Sequence, residues 1–149
     1  MSEKTLIIYY SRSGKSEILA KDLQSKIGCD MDKIEYATKN HISFFGAGFE
    51  AVSKKTVKIK GANHSPGDYE KIIFITPIWA SALSTPVRSY MAENKANIKS
   101  YSLIATCGSS GLEGTIKDAG NIMQKEPDNS EMYRSAQIAK GDYDLGKFT

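Results

Sequence analysis

Residues Thr5-Leu6-Ile7-Ile8-Tyr9-Tyr10 are apolar, β-branched or aromatic at nearly every position, without polar alternation. Such a run suits a strand whose two faces are both buried, the kind found in parallel sheets covered by helices. Similar runs recur at Ile72-Ile73-Phe74-Ile75-Thr76-Pro77 and at Tyr101-Ser102-Leu103-Ile104-Ala105-Thr106. Between them the period changes. Ile18, Leu19, Leu23 and Ile27 recur at helical spacing, closed by Gly28, and Val87, Tyr90 and Met91 follow Pro86, a residue suited to a helix's first turn. Ile116, Ala119, Ile122 and Met123 mark a further helix, and Met132 to Ile138 read as a last strand. Strands alternating with helices imply right-handed βαβ units and an α/β fold with a parallel sheet.

The remaining segments carry weaker signals. Asp32 to Tyr36 suits a second strand. Phe44, Phe45, Phe49 and Val52 suggest a short helix, and Thr56 to Lys60 alternates like an exposed strand. The lysines there, Lys54, Lys55, Lys58 and Lys60, read as a solvated face rather than a binding patch. Pro77 has no N–H for a ladder, so the third buried strand is expected to end there.

A length of 149 residues suits one domain, 1–149, with a variable region at about 37–67. No apolar run approaches the roughly 20 residues of a membrane span, and the N-terminal apolar run is too short for a signal peptide. A cytoplasmic protein is expected. Cys29 and Cys107 lack CxxC spacing, and neither a disulfide nor a metal site is expected. The net charge of +3 is compatible with an anionic ligand but is far from a nucleic-acid footprint, so no nucleic-acid partner is expected.

In open α/β sheets, ligands bind beyond the carboxyl ends of the strands. Three loops fall there: Ser11 to Ser16, Thr76 to Ala82, and Thr106 to Gly111. The first leads into a helix N-terminus, where unpaired amides and the positive end of the dipole attract anions. Ser11, Ser13 and Ser16 add hydroxyls, and Gly14 permits close approach; three hydroxyls around one glycine exceed what a helix cap requires. A Walker-type phosphate loop would need glycine five positions before Gly14, where Tyr9 stands. Trp79 in the second loop can stack on a flat heterocycle, and the small residues of the third can bring amides to its polar edge. No histidine or carboxylate neighbours Cys107 in sequence, so it reads as a packing residue.

Leu6 to Ser16, with its Ser-x-Ser-Gly-x-Ser loop, closely resembles the opening of the flavodoxins. Tyr69 to Val87, containing Thr76-Pro77-Ile78-Trp79 and then Pro86, resembles that family's second block, and Ala105 to Gly111 its third. The resemblance spans nearly the whole chain in the right order. It implies a flavodoxin-like, doubly wound, five-stranded parallel sheet in order 2-1-3-4-5 that binds FMN noncovalently. By position, Ser11, Arg12, Ser13, Gly14, Lys15 and Ser16 would hold the phosphate. Thr76, Pro77, Ile78, Trp79 and Ala80 would flank the isoalloxazine, and Thr106, Cys107, Gly108 and Gly111 would line its pyrimidine side.

Three features depart from the family. The chain is basic where electron-carrying flavodoxins are strongly acidic. Cys107 to Gly114 holds no aromatic to stack on the outer flavin face. Gly141 to Thr149 is too short and glycine-rich for the usual last helix, so another subunit, as in a homodimer, or residues 37–67 would have to cover the exposed sheet face. The expected role is an electron carrier between redox partner proteins. The alternatives are an FMN-dependent NAD(P)H oxidoreductase acting on quinones or another small acceptor, and a flavin-free binding module on the same fold.

Overall fold

A computed structural model describes residues 4–37, 56–108 and 110–149. The helix suggested by Phe44 to Val52 lies outside these residues. The chain runs β1 (Thr5–Tyr9), α1 (Lys15–Ile27), β2 (Asp30–Lys33), β3 (Glu35–Tyr36), β4 (Ile59–Lys60), β5 (Lys71–Trp79) and β6 (Ala82–Leu83). Then follow α2 (Thr85–Asn94), β7 (Tyr101–Cys107), α3 (Leu112–Met123), β8 (Ser130–Arg134) and α4 (Ser135–Lys140). Five strands form a parallel sheet in the order β2-β1-β5-β7-β8, the expected 2-1-3-4-5 arrangement.

The continuous apolar runs are explained by alternation across two buried faces. Leu6, Ile8, Ile72, Phe74, Tyr101 and Leu103 point to one face, where Val87, Tyr90 and Met91 of α2 and Ala119 and Met123 of α3 cover them. Ile7, Tyr9, Ile73, Ile75 and Ile104 point to the other, under Leu19, Ala20 and Leu23 of α1. Gly28 ends α1 in a left-handed conformation (φ 73°), its N–H donating to the Gln24 carbonyl at 2.7 Å.

Three expectations are corrected. First, β5 continues through Pro77 to Trp79. The Ile75 carbonyl accepts from Tyr10 N, so Pro77, two residues on, turns its nitrogen to the same side. β1 has already left the sheet there, and no ladder partner misses the N–H. Second, Ser135 to Ile138 are helical rather than part of the last strand: β8 ends at Arg134, where the Gln137 side chain accepts from Arg134 N at 3.0 Å. Third, the sheet face left by the missing long helix is closed by the chain itself. Ile138 of the six-residue α4, with Leu145 and Phe148 from the turn that follows, is buried against Ile104 and Tyr133. The apolar gap that called for a second subunit or for residues 37–67 is filled by these large side chains.

The exposed strand expected over Thr56 to Lys60 shrinks to Ile59–Lys60, paired antiparallel with Glu35–Tyr36. No helix among the described residues is long and apolar enough to cross a membrane.

Candidate functional site

The three loops at the carboxyl ends of the strands are tied to one another. The Ser16 and Thr106 hydroxyls, both buried, share a hydrogen bond of 3.2 Å between the first loop and the third. The Arg12 guanidinium lies over the Trp79 ring, 5.7 Å from its centroid, joining the first to the second. Gly111 closes the triangle: a Cβ there would stand 2.8 Å from Ile78 Cγ2 and 3.3 Å from Ser81 Cα. The sheet sets this meeting in advance, because Pro77 and Thr106 are register partners on adjacent strands.

Within the first loop, the Gly14 N–H donates to Ser11 Oγ at 3.0 Å, and Gly14 takes φ 94°, a conformation that disfavours any side chain. The loop then turns into the N-terminus of the 13-residue α1, whose first amides have no partner within the helix. Arg12 and Ser13 are exposed, and Lys15 is half-buried. The expected phosphate hydroxyls therefore divide into three situations. Ser11 braces the turn, Ser13 faces outward, and Ser16 is committed to Thr106.

The second loop is a hairpin. β5 turns back into β6 through Ala80 and Ser81, with Trp79 paired to Ala82 and Ile78 to Leu83. Both central residues have positive φ, 50° and 58°, the geometry of a type I′ turn. Neither is glycine, so the turn carries strain on the order of 1–3 kcal/mol per residue. Gly111 of the third loop and Gly114 in the first turn of α3 pack directly on Ser81 and hold the turn. Thr76 is fully buried, its hydroxyl joined to Ser84 Oγ at 2.8 Å, which fixes where α2 begins.

Trp79 is not an open platform. It is 8% exposed, meeting Tyr10 edge-on at 5.6 Å, and Tyr10 meets Tyr36 in the same way at 5.9 Å. Tyr10 and Tyr36 are the site residues the sequence reading passes over. Their signal was available: Tyr10 is the last aromatic before the first loop, and Tyr36 ends the segment beside it. In the third loop, Cys107 is half-buried, its Sγ donating to Met132 Sδ at 3.1 Å, and its carbonyl accepts from Ser135 Oγ. Gly108 is exposed.

Charge is organised beside the first loop. Glu17 accepts from Lys33 Nζ at 2.9 Å and from Tyr9 OH at 3.2 Å. The Lys33 hydrogen bond holds the Glu17 carboxyl below its ordinary value. Burial, with Glu17 adjacent, pushes the Tyr9 phenol up to about 12.

No family model matches this sequence, and no curated protein matches it. Solved structures do. A flavoprotein from Lactobacillus acidophilus NCFM, crystallised in complex with FMN, superposes with a TM-score of 0.78 at 17% identity, covering 93% of this chain and 98% of that one. The apo form of the Lactobacillus acidophilus NCFM flavoprotein, determined by NMR, gives 0.69 at 18% identity, over 96% and 99% of the two chains. A WrbA-like flavodoxin from Agrobacterium tumefaciens gives 0.62 at 12%, over 97% and 87%. At these identities the likeness is one of architecture, and the fold is flavodoxin-like.

Proposed function

We propose that this chain binds FMN at the carboxyl edge of its sheet and works as a redox protein that exchanges electrons with other proteins. The observation that carries this is the joining of the three loops through Ser16 and Thr106, Arg12 and Trp79, and Gly111 and Ile78. An anion cradle alone suits many ligands. A cradle tied to an aromatic wall and a glycine-rich edge suits a phosphate attached to a flat ring. The FMN complex of the similar Lactobacillus acidophilus protein supports the same ligand.

In this reading the amides of Arg12, Ser13, Lys15 and Ser16 and the Ser13 hydroxyl meet the phosphate, Gly14 lets it approach closely, and Arg12 and Lys15 offset its charge. The backbone of Pro77 to Ala80, backed by Trp79, lies along the ring, and Thr106, Cys107, Gly108 and Gly111 line its pyrimidine side. Bound FMN supplies the electron-transfer chemistry, and the chain supplies position and electrostatics. Thr76 contributes by fixing the loop, since its hydroxyl is used by Ser84.

A second reading, an NAD(P)H-dependent reductase of small acceptors, is favoured by the net charge of +3, since nicotinamide nucleotides are anionic. One experiment separates them. The purified protein is reconstituted with FMN, its visible spectrum is recorded, and NAD(P)H is added without oxygen. A retained flavin band that NAD(P)H leaves unbleached supports the carrier, and rapid bleaching supports the reductase. Failure to retain any flavin overturns both.

A further inference from the structure

The carboxyl edge carries a rim of basic side chains outside the cradle. Lys58 and Lys60, on the segment forming β4, and Arg134, at the end of β8, are exposed. Lys58 belongs to this edge because its carbonyl accepts from Ala37 N just past β3, and Tyr36 of β3 packs on Tyr10 beside Trp79. Two acids of the same edge are already engaged. Glu17 pairs with Lys33 at 2.9 Å and Lys21 at 3.8 Å, and Glu35, 3.9 Å from Lys33, is also the cross-strand neighbour of Lys60. Among the described residues no carboxylate forms an ion pair with Lys58 or Lys60, and the remaining acid of this rim is Glu113. The amino edge differs: there Asp68, Glu70, Glu126 and Asp128 alternate with Lys4, Lys99 and Lys125 in near balance.

The N-termini of α1 and α3 open onto the same edge and add their positive dipole ends. Strands about 4.8 Å apart set β2 and β8 roughly 19 Å from each other, so the cations span the width of a protein contact. They stand on separate elements rather than converging as a dinucleotide pocket would require.

We infer that this rim is the docking face for an acidic electron-carrier protein, brought by its negative surface to the edge where the cofactor lies. The inference rests on the FMN reading for why the partner is a redox carrier. The charge pattern alone specifies its sign. Complementary potentials of this kind raise encounter rates about 10- to 1000-fold and weaken as salt screens them.

The test measures binding of an acidic [2Fe–2S] ferredoxin, and of basic cytochrome c as its opposite, to the FMN-reconstituted and the flavin-free protein by titration calorimetry. Ferredoxin is expected to bind both forms, weakening about tenfold between roughly 0.02 and 0.2 M salt, while cytochrome c does not bind. Lys58→Glu, Lys60→Glu and Arg134→Glu together are expected to lower ferredoxin affinity at least tenfold at low salt, with the flavin spectrum and far-ultraviolet circular dichroism unchanged. Absence of ferredoxin binding, or binding indifferent to salt and to the three reversals, overturns the proposal. Reversals that slow NAD(P)H oxidation while sparing ferredoxin binding assign the rim to the dinucleotide and overturn it too. Loss of FMN binding in the unaltered protein would defeat the cofactor reading alone, because the flavin-free titration still reports on the rim.

Discussion

The two faces of the sheet are sealed by opposite means. On the face under α2 and α3, the apolar layer is fastened by buried charge. Arg88 Nη2 donates to Asp118 Oδ2 at 2.5 Å with both side chains under 5% exposed, and the same carboxylate accepts from Leu83 N at 3.1 Å. At the edge of that face Asp32, 1% exposed, accepts from the backbone amides of Asn63 and His64 and is bonded to the His64 ring at 2.7 Å. On the face under α1 the seal is almost wholly apolar: Ile138, Leu145 and Phe148 fill the place of a helix. A sheet face can thus be closed by a longer element held through charges or by a short one carrying large side chains. The first is sensitive to charge and pH, the second to volume.

The contrast is easiest to break at Asp118. Asp118→Ala removes the carboxylate that Arg88 and Leu83 N share, and is expected to cost about 3–5 kcal/mol in urea unfolding. Because β6 and α2 meet there, the Trp79 environment should shift as well. Arg88→Met with Asp118→Leu should recover much of the loss, and no recovery would mean that the pair's geometry matters beyond its charge.

Phe148→Ala tests the other face. The ring is 1% exposed, and its loss is expected to cost about 3 kcal/mol, independent of pH between 5 and 9. A loss below about 0.5 kcal/mol would show that the closing segment adds little to stability. A smaller effect is expected of Tyr133→Phe, which removes a hydroxyl that ties this apolar seal to the backbone at Asp144 O. About 1 kcal/mol should be lost, with the packing against Tyr143 kept.

The smallest effect belongs to His64. Its hydrogen bond to Asp32, then the charges of Asp32 and Asp30, raise its affinity for a proton, against desolvation and Lys4. The folded value lies above the ordinary 6.5, so the contribution is full below that pH and is lost as pH rises through the folded value. The ring is partly open to water, and under about 1 kcal/mol is expected. Denaturation midpoints between pH 5.5 and 8.5 should fall in the unaltered protein and flatten in His64→Gln. Equal slopes in the two would remove His64 as the cause.

The three central strands were legible because doubly buried strands leave an unbroken apolar run, and the three loops were placed by their position after such runs. The order 2-1-3-4-5 came from the resemblance to flavodoxins. Side-chain commitments were not legible. The pairing of Ser16 with Thr106, or of Arg88 with Asp118, joins residues far apart in sequence, and no local pattern announces it. Trp79 could be recognised as an aromatic at the right edge, but not as the middle of a cluster with Tyr10 and Tyr36. The helix at Ser135 escaped notice because six residues are too few for a period to show. The strand past Pro77 was missed because a proline breaks only the side of a ladder its nitrogen faces, and that side depends on neighbours.

The closing segment also has a consequence in time. Its buried residues, Ile138, Leu145 and Phe148, are synthesised after every strand they cover. At about 5–20 residues per second, Ile104 and Tyr133 have been made, yet wait on the order of 1–3 s beyond completion of β8 for this part of their cover. A chain ending near residue 134 holds all five parallel strands, with α1 over one face but the apolar surface around Ile104 and Tyr133 still uncovered. Such chains would be the preferred clients of chaperones that hold exposed hydrophobic surface.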